Sequence, residues 1–135
     1  LGLTRNINRN HIVRASLEAI AFQSAEVLHS IANDTGQNIK ELRIDGGAAT
    51  NNFLCQFQAD VLGLHVKRPK VLETSAMGAA FLAGLSVGVW QDQDQISELW
   101  NQEKIFSPII SREDASQMMV EWGRALERAK KWVVS

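Results

Sequence analysis

Leu42-Arg43-Ile44-Asp45-Gly46-Gly47-Ala48-Ala49-Thr50-Asn51-Asn52-Phe53-Leu54 passes from a short apolar run through an acid and two glycines into a polar cluster. The order reads as strand, tight turn, helix. Adjacent glycines let the backbone take positive φ and leave no Cβ in the path of an incoming ligand. A helix opening just beyond them would aim its free amides and positive dipole end back at the turn. That combination suits an anion such as a phosphate. The spacing is neither Gly-x-Gly-x-x-Gly nor Gly-x-x-x-x-Gly-Lys-Ser/Thr, so neither of those mechanisms transfers whole. It also fits a plain strand-to-helix turn that holds nothing.

Downstream, Thr50 to Leu62 is expected to be helical, with Phe53, Leu54, Phe57 and Val61 inward and Gly63 closing it. Leu64 to Lys67 follows as a strand that Pro69 stops. With Ile39 to Ile44 as the preceding strand, the unit is a right-handed βαβ crossover with parallel pairing. Apolar residues on both faces near the end of that first strand place it inside a sheet.

Upstream, His11 to Ala32 has helical periodicity, with Asn6, Asn8 and Asn10 as candidate caps and Gly36 as the stop. Val13, Leu17, Ile20, Val27 and Ile31 share one face; Ile12, Ala15, Ala19 and Phe22 share its neighbour. So wide an apolar surface implies burial on more than one side. After Glu73, the run Thr74 to Leu85 is a helix of small residues. Gly78 and Gly84 within it each cost about 1 kcal/mol against Ala, which suggests a close backbone neighbour. A short helix near Gln95 to Trp100, a connector over Asn101 to Ile110 and a last helix starting at Ser111 complete the chain. Met118, Trp122, Ala125, Leu126, Ala129 and Trp132 form the packing stripe of that last helix, and Lys130 and Lys131 suit its C-terminal dipole.

Composition narrows the function. The chain has 135 residues, 45% hydrophobic, with a formal net charge of −1, enough for one domain with a moderate core. No basic face marks a nucleic-acid partner. No apolar run reaches the roughly 18 residues of a membrane span. The lone Cys55 favours a reducing compartment, the cytoplasm. His11, His29 and His65 lack metal-ligand spacing, so no metal site is expected. Cys55 reads as packing, without an activating His nearby. Asp45 could position a metal-bound water or bond the amides of the turn; the second is the simpler role. Trp90 and Trp100 read as hydrophobic plugs. Two strands cannot shield the long first helix and the small-residue helix together. With Leu1 in place of a Met, the chain is expected to be a piece of a longer protein whose upstream strands complete the sheet.

Several motifs occur in one order: Gly2-Leu3-Thr4, His11-Ile12, Asp45-Gly46-Gly47, Asn51-Asn52-Phe53-Leu54, Gln56 to Gly63, Glu73 to Ala80 and Gly88-Val89-Trp90. Together they resemble the C-terminal domain of the FGGY family of carbohydrate kinases. The resemblance implies an α/β, partial ribonuclease-H-like (actin-like ATPase) domain, a small parallel sheet covered by helices, spanning residues 1–135. It implies that Gly47 approaches a nucleotide through its backbone, that Gly46 permits the turn and that Asn51 contacts the base or ribose side. The small-residue helix would pack on the same sheet and support that site. ATP and Mg2+ are the implied cofactors, with the metal ligands, the phosphate hairpin and the catalytic base all in an upstream domain. No catalytic residue is expected here. Within the family, the glutamine-rich run from Asn51 to Gly63 points to glycerol as substrate rather than xylulose or gluconate. A homo-oligomer is implied for the full enzyme. Two other readings stay open: a family member acting on another polyol or ketose, and a non-catalytic actin-like nucleotide-binding module.

Overall fold

The computed structural model describes residues 2–130. Lys131 and Trp132, assigned above to the last helix, lie outside the described residues. In chain order the elements are α1 (Arg9–Thr35), β1 (Glu41–Arg43), a 3-10 turn (Gly47–Thr50), α2 (Asn52–Leu62), β2 (His65–Pro69), α3 (Thr74–Ser86), α4 (Gln93–Glu98), β3 (Gln102–Phe106) and α5 (Arg112–Ala129).

Local chemistry sets the helix ends. Asn8 caps α1, its side chain accepting from the Asn10 and His11 amides, while the His11 ring accepts from the Asn8 N–H to close a capping box. Gly36 and Gly63 end α1 and α2 in the left-handed conformation. Ser111 caps α5 through the Asp114 amide. At Gly63 the guanidinium of Arg112 lies where a Cβ would stand, 2.5 Å away, and donates to the carbonyls of Asp60 and Val61.

α2 is the centre of the packing, with eight of its 11 residues buried. Leu54, Phe57, Val61 and Leu62 meet Ala21 and Ala25 of α1, with Met118 and Met119 of α5 alongside. The opposite face sets Cys55 and Ala59 against Val66 and Phe106 of the sheet, beside Leu42 and Ile44. The buried Asp60 carboxylate is satisfied by the Ile109 amide at 2.8 Å and Gln56 at 3.0 Å.

Five expectations change. The sheet is mixed: β1 and β2 pair in parallel, as the crossover requires, but β3 adds antiparallel to β2 in the stretch expected to be a connector. β1 is an edge strand among the described residues rather than an interior one, and an open groove bordered by Ile20, Val27, Leu42 and Ile44 runs beside it. Among the described residues α1 is covered on one side only. Its contacts with α2 bury Ala21 and Ala25, while Ile12, Val13, Ile20, Val27 and Ile31 face outward. Phe53 is likewise more exposed than expected, lying beneath the guanidinium of Arg14. Finally, α3 does not lie on the sheet. What approaches Gly84 is the Trp90 ring, 2.0 Å from where a Cβ would stand, and nothing crowds Gly78. Trp90 thus plugs the end of α3, edge-on to Phe81, and Trp100 is half-buried beneath Arg43.

Candidate functional site

The turn after β1 is built by backbone bonds to two neighbouring segments. The Ile44 amide continues the parallel ladder by donating to the Lys67 carbonyl, 3.1 Å. Gly46 then donates to the Leu72 carbonyl at 3.0 Å, with φ 74° and ψ 178°. Only glycine takes those angles without strain. Asp45 accepts from the Thr74 hydroxyl at the start of α3, a role different from both considered for it from sequence. The acid therefore joins the turn to α3 rather than bonding the amides of the turn.

Gly47 opens the 3-10 turn, and the Thr50 hydroxyl returns to the Gly47 carbonyl at 2.7 Å. Asn51 is the N-cap of α2, its Oδ1 accepting from the Leu54 amide at 3.2 Å. α2 therefore does not start directly beyond the glycines, and its first turn is partly satisfied by Asn51. The donors at the turn are the Gly47 and Ala48 amides, which take no partner among the described residues. With Oδ1 of Asn51 engaged, its Nδ2 is left to donate.

Gly46, Gly47 and Asn51 thus stand within one short turn, and its outer side is open. A Cβ built on Gly46 or Gly47 meets no heavy atom within 4 Å. The two glycines differ in an informative way. The backbone angles require glycine at 46; neither backbone nor neighbours require it at 47.

The underside is closed. The Cys55 thiol donates to the Ala49 carbonyl at 3.2 Å, and burial pushes its pKa up. Cys55 is expected to react with maleimide at neutral pH at less than about one-hundredth the rate of a free thiol, since the thiolate is the nucleophile. Labelling at the free-thiol rate would show that the floor of the turn opens readily. Beside the thiol lies Arg68, 6% exposed, with Nη1 on the Ala49 carbonyl at 2.7 Å and on Asn52 Oδ1 at 3.0 Å. The sequence reading passed over Arg68. Period two along β2 puts it on the same face as the buried Val66, and that was the available signal.

The histidines do not converge. His11 serves the α1 cap, and His65 meets the Ser107 hydroxyl at 3.1 Å. Among the described residues no three His, Cys, Asp or Glu side chains stand close enough to hold a metal. Among them, too, no helix is long and apolar enough to cross a membrane.

Residues 1–87 match the FGGY family of carbohydrate kinases, C-terminal domain. A glycerol kinase from Deinococcus radiodurans is 52% identical over 132 residues, covering 98% of this chain and 26% of that protein. One from Dechloromonas aromatica is 53% identical over 131 residues, 97% of this chain and 26% of that protein. The crystal structure of Plasmodium falciparum glycerol kinase with ADP superposes with a TM-score of 0.84 at 36% identity, over 98% of this chain and 27% of that one. Gluconate kinase from Lactobacillus acidophilus shares the fold alone, with a TM-score of 0.74 at 22% identity over 96% of this chain and 26% of that one. The chain spans about a quarter of the length of the curated relatives it matches.

Proposed function

Because the chain belongs to the FGGY family of carbohydrate kinases, we propose that it is the C-terminal, nucleotide-contacting part of an ATP-dependent glycerol kinase. The observation that carries this reading is Gly47, a glycine with no structural need to be one, on a turn whose outer side is empty. A nucleotide drawn to within contact distance of the main chain accounts for the missing side chain. The free Gly47 and Ala48 amides offer donors to its polar groups, and Asn51 offers its Nδ2 to the base or ribose. Gly46 supplies the bend. Asp45, through Thr74, holds the turn against α3.

In this reading residues 1–135 are the second actin-like domain. The remaining strands, the phosphate hairpin, the glycerol pocket and the base belong to sequence upstream. The reaction joins a terminal oxygen of glycerol to the γ-phosphorus of ATP, breaks the bond to ADP and passes the hydroxyl proton to that base. No group of three His, Cys, Asp or Glu side chains among the described residues could hold Mg2+, and Asp45, the acid at the turn, already accepts from Thr74. Its ligands are assigned to the upstream domain. Closure of the two domains would seat the half-site on the nucleotide and exclude water. A cytoplasmic homo-oligomer is the expected form of the whole enzyme. Glycerol is preferred over gluconate or xylulose because the likeness to glycerol kinases is the closer one.

The test is turnover. Full-length protein with ATP is expected to phosphorylate glycerol in preference to xylulose or gluconate, while residues 1–135 alone phosphorylate none of them. Measurable glycerol phosphorylation by residues 1–135 would contradict the half-site, and a preference for a ketose would reassign the substrate.

A further inference from the structure

We infer that Arg68 is a positioning residue for ATP, holding the glycine turn at its working height over the sheet; this rests on the nucleotide reading of that turn. The contacts are specific. From β2 the guanidinium forks onto Glu103 of β3, Nε to Oε2 at 2.8 Å and Nη2 to Oε1 at 3.2 Å. Its third nitrogen, Nη1, reaches the Ala49 carbonyl and the Asn52 side chain. Ala49 is 4% exposed and lies midway between Gly47 and Asn51. Its carbonyl also accepts from the Cys55 thiol, so one buried oxygen of the turn is gripped by two donors from below. Phe106 packs beneath the guanidinium, 5.4 Å from ring centroid to Cζ.

The choice of residue matters. A planar guanidinium carries five donors in a fixed fork, so it can bind a carboxylate on one side and a carbonyl on the other. A lysine offers a single point of charge, and an apolar residue would fill the space at less desolvation cost. A buried charge at this place therefore fits a demand for geometry better than a demand for packing. Among the described residues, Arg68 is the one side chain that ties the Ala49 carbonyl to β3. Motion of the turn relative to the sheet must stretch it.

The experiment uses the full-length kinase and compares Arg68→Lys, Glu103→Gln, Asp60→Asn and Gly47→Val in thermal melts and steady-state kinetics. Asp60→Asn removes the charge that strengthens the two bonds its Oδ1 accepts from Gln56 and the Ile109 amide, and serves as the structural control. Arg68→Lys is expected to raise the KM for ATP about tenfold and Glu103→Gln about threefold, with the KM for glycerol within about twofold in both. Asp60→Asn is expected to lower Tm and leave both KM values within about twofold. A folded Arg68→Lys enzyme with an unchanged KM for ATP overturns the inference, as does an equal rise in Asp60→Asn. If Arg68→Lys does not fold, Glu103→Gln decides by the same criterion. A rise in Gly47→Val without one in Arg68→Lys removes only the positioning role. No rise in Gly47→Val removes the nucleotide reading beneath it.

Discussion

Gly47→Val in the full-length enzyme is expected to raise the KM for ATP between about tenfold and a hundredfold, with the KM for glycerol little changed. The prediction is unusually clean because the chain itself has room for the new side chain. No heavy atom lies within 4 Å of the added Cβ, and residue 47, unlike 46, is not in the left-handed region. The substitution is therefore expected to change stability by no more than about 0.5 kcal/mol, as exposed replacements generally do. Any kinetic effect then belongs to what occupies the space outside the turn. A matched substitution at Gly46 would be ambiguous, since its φ of 74° would be strained by any Cβ. Initial rates at varied ATP, with a melting curve for each variant, separate the two. An unchanged KM for ATP would mean that nothing approaches residue 47 during turnover.

Phe57→Ala is expected to destabilise this domain by about 3–5 kcal/mol, read from the denaturant midpoint of its unfolding transition. Phe57 is 7% exposed and stands where α1 and α2 meet. Its ring meets Phe22 edge-on at 5.3 Å and lies parallel to Phe53 at 6.0 Å. Phe22 in turn stacks on Trp122 of α5 at 5.3 Å, so one aromatic chain joins three helices. Removing one of its two inner rings leaves a void that rigid helices cannot collapse to fill. A loss below about 1 kcal/mol would show that these helices are held by something other than this core.

The β1–turn–α2–β2 unit was legible because its boundaries are local events, two glycines and a left-handed glycine, although the Asn51 cap was not read and α2 starts two residues later than expected. The Gly36 and Ser111 ends were legible for the same reason, and Asn8 stood among three candidate caps. β3 was not. Gln102, Glu103 and Lys104 are exposed and show no apolar alternation, and the strand exists only because β2 offers it a ladder. The second apolar face of α1 has no cover among the described residues; periodicity counts apolar side chains without saying what covers them. At the site, the resemblance picked out the glycines and Asn51 and already divided their labour, but the geometry behind that division could not be read. That Gly46 serves the backbone and Gly47 an open space depends on φ and on neighbours. Arg68 was harder still. Its partners come from the turn, α2 and β3, and no spacing within a sequence encodes that convergence.

The length of α1 carries a mechanical consequence. Its 27 residues form a rod about 40 Å long, while its fully buried contacts sit at Ala21 and Ala25 alone. Within residues 2–130, a stiff rod pinned over so short a span behaves as a lever. Tilting it by about 5° at the pivot displaces its Arg9 end, about 18 Å away, by roughly 1.6 Å. Slight repacking around Phe22 and Phe57 would thus be magnified at the far tip of the helix.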